Sequence, residues 1–94
     1  MIKGIIIKPG KDNVAVVSDN VKAGDHVSCG MGDSAEEIVA LEDIPIYHKI
    51  ALQDLKKGDI VLKYGEGIGR MTDDIKKGGY IHEHNLGLLT EVES

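Results

Sequence analysis

The stretch Val21-Lys22-Ala23-Gly24-Asp25-His26-Val27 decides the fold, because the chain repeats its pattern twice more. Leu55-Lys56-Lys57-Gly58-Asp59-Ile60-Val61 and Ile75-Lys76-Lys77-Gly78-Gly79-Tyr80-Ile81 keep the same order: an apolar residue, Lys, a small residue or Lys, Gly, then a run into apolar residues. Asp precedes each copy, as Asp19, Asp54 and the pair Asp73-Asp74. The pattern reads as a single helical turn. Asp caps its free N–H groups, Lys sits near its C-terminal end, and Gly takes the left-handed conformation that stops it. A β-strand is expected after each turn. The copies are 34 and 20 residues apart, too unequal for a solenoid. A recurring turn in a compact β-fold fits better.

Between these turns the segments are short, β-branched and bounded by Gly, Asp or Pro. Strands are expected over Ile2 to Lys8, Asn13 to Val17, His26 to Cys29, Glu36 to Leu41 and His48 to Leu52. Further strands are expected over Asp59 to Lys63, Ile68 to Met71, Gly79 to His84 and Leu86 to Val92. No segment holds a helical period for three turns. The expectation is an all-β, barrel-like or clip-like architecture, with residues 1–94 as one domain and no linker. Ser28 to Ala35, where Gly30 and Gly32 flank Met31, reads as the most mobile loop.

At 94 residues the chain buries about 60–65% of its unfolded surface, enough to fold but not to wall a deep cleft on all sides. A complete enzyme is therefore not expected from it, although a subunit contributing part of a site is. Sixteen acidic residues against 11 basic ones give a net charge of −5, and ten of the cations are Lys. Three tyrosines are the only aromatics. Nucleic-acid binding calls for a basic surplus with Arg or stacking rings, so that class is excluded. One cysteine, Cys29, cannot form an internal disulfide, which points to a reducing compartment. Only four uncharged residues separate Lys3 from Lys8, too few for a signal-peptide core, and no run approaches a membrane span. A cytoplasmic location follows as the expectation.

Three motifs carry chemistry-bearing residues. On a strand, Tyr80-Ile81-His82-Glu83-His84-Asn85 would put His82 and His84 on one face, able to hold a divalent metal or a substrate carboxylate, with Asn85 as a further donor. A solvated polar strand face explains the same spacing. His48, beside Lys49 in Ile44-Pro45-Ile46-Tyr47-His48-Lys49-Ile50, is the candidate third group at the mouth of a buried strand. A Lys next to a His suits an acidic substrate, or acid–base work where burial lowers the lysine pKa. The plainer account is a strand start with two solvated polar residues. His26, after a repeat turn, has the least to recommend it.

The third motif is Lys63-Tyr64-Gly65-Glu66-Gly67-Ile68-Gly69-Arg70. Its glycines match neither the dinucleotide fingerprint nor the Walker pattern. A hairpin around Gly65-Glu66-Gly67 fits, with Gly69 allowing close backbone approach. This segment brings Lys63, Glu66 and Arg70 near one loop, and Arg can grip a carboxylate with two parallel hydrogen bonds. Cys29 has no base at a diagnostic spacing and reads as an inert thiol.

Asp12-Asn13-Val14-Ala15-Val16, His48-Lys49-Ile50-Ala51-Leu52, Lys63-Tyr64-Gly65 with Ile68-Gly69, and His82-Glu83-His84-Asn85-Leu86 stand in an order and spacing that resemble one family. It is the small subunit, or N-terminal domain, of altronate dehydratase, grouped with galactarate dehydratase and the α subunit of (2R)-sulfolactate sulfo-lyase. The resemblance runs from about Lys8 to Leu86 and implies a SAF-type β-clip. It further implies loss of water, or of sulfite in the sulfo-lyase, from a 2-hydroxy acid, with help from a divalent metal such as Fe2+ or Mn2+. A base removes the proton α to the carboxylate, and metal and cationic groups stabilise the enediolate. A separate large catalytic subunit and an acidic sugar substrate are implied as partners. Carried over by position, His48 and Lys49 are expected to be catalytic. Lys63, Tyr64, Arg70 and Asn85 are expected to bind substrate, and His82 and His84 the metal. Tyr47 departs from the family, which commonly has Gly before the His. Two other functions stay open: the sulfo-lyase α subunit, and a stand-alone acid- or carbohydrate-binding module. Self-association through an exposed β-edge is also open.

Overall fold

The computed structural model describes residues 2–6 and 8–89. Among these residues nine short strands appear: β1 (Ile2–Ile5), β2 (Val14–Val17), β3 (His26–Cys29), β4 (Glu36–Val39), β5 (Lys49–Ala51), β6 (Ile60–Lys63), β7 (Glu66–Met71), β8 (Tyr80–Ile81) and β9 (Leu86–Gly87). One 3-10 turn, Gly32–Ser34, is the only helical element among the described residues. The all-β expectation holds, and the curled sheets agree with a SAF-type clip. Six strands pair in the order β4-β3-β1-β2-β5-β8 and three in the order β6-β7-β9. No helix among the described residues is long and apolar enough to cross a membrane.

The repeated phrase forms turns, but not helical ones. Asp25 N–H donates to Lys22 C=O (2.9 Å), Asp59 N–H to Lys56 C=O (2.9 Å) and Gly79 N–H to Lys76 C=O (2.9 Å). In each, the third residue has positive φ: 93° at Gly24, 93° at Gly58 and 91° at Gly78. A four-residue turn with positive φ at its third position is a type II β-turn. A fourth copy exists that the sequence pattern hides. His48 N–H donates to Pro45 C=O (3.1 Å), and Tyr47, at φ 68°, holds the place that Gly holds elsewhere. The departure of Tyr47 from the family pattern is thus a side chain forced into a backbone region that favours glycine.

Asp54 and Asp74 cap, although not their own turns, whereas Asp19 accepts from Asn20 N–H (2.8 Å) and the first pair is capped by Asn20 and Asp43. Ala23 N–H donates to Asp43 (2.9 Å) and Ile46 N–H to Asn20 (2.9 Å). Lys57 N–H donates to Asp74 (2.8 Å) and Lys77 N–H to Asp54 (2.8 Å). The four turns therefore form two pairs, each exchanging side-chain caps across a bridge, Val21 with Ile44 and Leu55 with Ile75. All four bridge residues are buried. The polar caps and the apolar bridges fix each pair as a clip.

Two cores follow from this pairing. Val17, Val21, Val27, Ile38, Ile44 and Ile50 are among the members of the first, and Val14, Ala51, Leu55, Val61, Met71 and Ile81 of the second. Asn13 ties the sheets together. Its buried carboxamide donates to Ile60 C=O (3.0 Å) and accepts from Leu62 N–H (2.7 Å), so β2 is joined to β6. Asp12 accepts from Tyr64 N–H (3.1 Å) and Gly65 N–H (2.7 Å). Tyr64 and Gly65 have φ 59° and 75° and lie between the closing pair Lys63 and Glu66. That is a two-residue hairpin loop of the type I′ kind, one residue upstream of the expected Gly65-Glu66-Gly67 turn. β7 therefore starts at Glu66 and carries a bulge opposite Val61/Leu62. At Gly69 a Cβ would meet Gly87 C=O at 2.5 Å, the close approach its motif suggested.

Other boundaries moved by a residue or more. β1 ends at Ile5, and Ile7 lies outside the described residues, as do the final residues of the expected strand to Val92. The expected loop from Ser28 to Ala35 begins inside β3 and contains the 3-10 turn, with Met31 80% exposed.

Candidate functional site

β5 and β8 position the site. They pair antiparallel, Lys49 opposite Ile81 and Ile50 opposite Tyr80. Continuing that register by one residue sets His48 across from His82, and their ring centroids are 4.4 Å apart. His48 Nδ1 and the Tyr80 hydroxyl share a hydrogen bond of 2.6 Å. The Tyr80 ring lies nearly parallel to His82, at 5.8 Å and 10°, and contacts His84 at 5.1 Å. Tyr80 thus touches all three imidazoles. Sequence reasoning did not single it out, although it is one of three aromatics and stands two residues before His82.

The strand expected through His84 stops at Ile81, which removes the same-face argument for His82 and His84. Asn85 is the cause. Its side chain accepts from His82 N–H (3.0 Å) and donates to Tyr80 C=O (2.9 Å), while Asn85 N–H donates to His82 C=O (3.1 Å). The segment folds into a tight turn. Asn85 is buried and its side chain holds this turn.

Lys49 belongs to a second group. Ile50 packs in the first core and Ala51 in the second, so successive β5 residues face opposite ways. His48, in step with Ile50, turns toward Tyr80. Lys49, in step with Ala51, lies on the side of the second core, where the charge of Lys63 reaches it. Burial first, and then Lys63, hold the Lys49 ammonium below its usual pKa. Lys63 Nζ stands 4.8 Å from the centre of the Tyr64 ring, a cation–π contact. Among the described residues neither lysine is paired with a carboxylate. His48 and Lys49 are chain neighbours at the N-terminal end of β5, and the charge of Lys49 reaches His48. Desolvation, then His82 and Lys49, keep His48 below its usual pKa. Desolvation, then Glu42 and Glu83, raise that of Tyr80.

Arg70 sits at the other end of the β6–β7 hairpin, opposite Ile60, with Nη1 donating to Gly58 C=O (3.1 Å). The hairpin length separates it from Lys63. Among the described residues no three His, Cys, Asp or Glu side chains gather as a metal-binding set. His48 Nδ1 is engaged with Tyr80, and His82 and His84 lie on a turn. The described residues do not by themselves fit a divalent metal.

The comparisons with known proteins give these motifs a common origin. The family described as the altronate/galactarate dehydratase SAF domain matches residues 3–89. The chain is 54% identical over 48 residues to the (2R)-sulfolactate sulfo-lyase subunit alpha of Paracoccus pantotrophus, covering 51% of this chain and 72% of that subunit. It is 34% identical over 73 residues to the subunit of the same name from Chromohalobacter salexigens, covering 76% and 78%. Altronate dehydratase of Bacillus subtilis is 39% identical over 75 residues, which cover 80% of this chain but 14% of that enzyme. A match over nearly the whole described length, on a fold of short clipped strands, is decisive: the chain belongs to the altronate/galactarate dehydratase SAF domain family.

Proposed function

We propose that this chain is the SAF component of a carbon–oxygen lyase, a dehydratase of the altronate type that removes water from a 2-hydroxy acid together with a large catalytic chain. The observation that carries the reading is the pair Lys49 and Lys63, both half-buried and neither neutralised by a carboxylate among the described residues. Two cations with no carboxylate partner among the described residues attract an anion, and partial burial strengthens that attraction beyond its value in water. The carboxylate of a sugar acid supplies such an anion, and the enediolate that develops on α-proton removal supplies more charge. Lys49 and Lys63 hold the acid, Tyr64 shapes the wall beside Lys63, and His48 meets the ligand from the opposite side of β5. A metal such as Fe2+ or Mn2+, implied by the resemblance, would take its ligands outside this chain or share them with it.

The lengths and names of the relatives support a partner. The altronate dehydratase relative is far longer than this chain, and the sulfo-lyase relatives are named as subunits. A sulfo-lyase α subunit is the second reading, favoured by the 54% identity. The test is co-expression with a large dehydratase chain from the same genome, followed by assays with ferrous iron. Dehydration of altronate or a related hexonate supports the first reading, and sulfite release from sulfolactate supports the second. No complex and no turnover with either would refute both, leaving the acid-binding module.

A further inference from the structure

The geometry points to Tyr80 as a positioning residue that fixes His48 in the Nε2–H tautomer, so that His48 meets a ligand as a hydrogen-bond donor and not as a proton acceptor. The 2.6 Å contact between His48 Nδ1 and the Tyr80 hydroxyl has two descriptions: O–H donating to nitrogen, or N–H donating to oxygen. A phenol is a far stronger acid than a neutral imidazole N–H, and an imidazole nitrogen is a better acceptor than a phenol oxygen. The O–H···N form is therefore favoured. Once Nδ1 accepts, the proton of the neutral ring must sit on Nε2.

Both partners are held for this role. Tyr80 N–H donates to Glu42 (2.9 Å), Tyr80 C=O accepts from Asn85, and the phenol ring packs beside His82 and His84. His48 is fixed by the Pro45 turn and by the facing His82 ring. Tyr80 is paired with Ile50 in the sheet, which fixes its backbone against β5. A donor at Nε2 suits the oxygen atoms of an acid, which is where this inference rests on the proposed function. The tautomer itself does not.

The test is a long-range 1H–15N correlation spectrum of the uniformly 15N-labelled full chain, with and without Tyr80→Phe. The variant removes only the hydroxyl and keeps the ring. In the unmodified protein His48 should show the Nε2–H pattern. Tyr80→Phe should lower the preference for that form about fivefold, the worth of one net hydrogen bond, and leave His26 unchanged. An Nδ1–H pattern in the unmodified protein overturns the inference whether or not the variant folds. So does an unchanged preference in a folded Tyr80→Phe. Neither partner nor substrate is needed, so failure of the lyase assay and failure of this assignment are read separately.

Discussion

Replacing Tyr47 by Gly should make the protein more stable, although it deletes the largest side chain of its turn. Tyr47 occupies the third position of a type II turn at φ 68°, where three sister turns carry Gly. A non-Gly residue in this region costs about 1–2 kcal/mol. Glycine gives back about 0.5–1 kcal/mol through the extra freedom of its unfolded chain. The ring is 73% exposed, so little packing is lost with it. The net gain is about 0.5–1 kcal/mol, a rise of about 3–6 °C in Tm for a domain of this size. Gly58→Ala is the mirror experiment. A Cβ there would meet nothing within 4 Å, so any loss comes from the backbone, about 1 kcal/mol. Thermal unfolding followed by circular dichroism reads both. A Tyr47→Gly protein that melts at or below the parent, or a Gly58→Ala protein that matches it, refutes the turn argument.

Three further outcomes follow from the same structure. Asn13→Ala strands Leu62 N–H and Ile60 C=O at the junction of the sheets, and should cost about 2–4 kcal/mol in urea unfolding. A loss under 1 kcal/mol would show that Asn13 does not join them. Asp54 has its pKa lowered from the usual 3.8, chiefly by the Lys77 N–H bond. Its contribution is complete above the unfolded value and is lost as pH falls through the lower folded value, so Asp54→Asn should flatten the stability curve below about pH 4. An identical acid limb in parent and variant contradicts this. Cys29 is buried, and its thiol is pushed up to about 11, by desolvation first and then Glu36. Alkylation at pH 8 should proceed only as fast as the protein opens, and rapid labelling of the folded chain would contradict that burial.

The fold was legible where a residue type has one backbone use. Gly24, Gly58 and Gly78 marked three turns because positive φ leaves few alternatives to Gly. The fourth turn was hidden since Tyr47 breaks that rule at a cost. The Asp caps were seen as caps but assigned to their own turns. Spacing along a chain does not reveal that Asp54 reaches Lys77 and Asp74 reaches Lys57. The site was half-legible for a similar reason. His48 and His82 do meet, as expected of a shared site, yet strand alternation sends Lys49 to the other side of β5. Asn85 shows its polar atoms in the sequence, whereas the backbone groups of Tyr80 and His82 that its side chain bonds appear only after folding. Tyr80 was overlooked because spacing along the chain does not show that its hydroxyl reaches His48 on the neighbouring strand.

Lys49 and Lys63 are the proposed acid-binding cations. The most direct measurement is the turnover of the reconstituted lyase with Lys49→Met, a change that keeps the aliphatic stem and removes the charge. Loss of one half-buried cation proposed to face the developing charge should lower kcat/KM by about 100-fold, with the complex still assembling. An assembled Lys49→Met enzyme with unchanged kcat/KM would contradict the central claim.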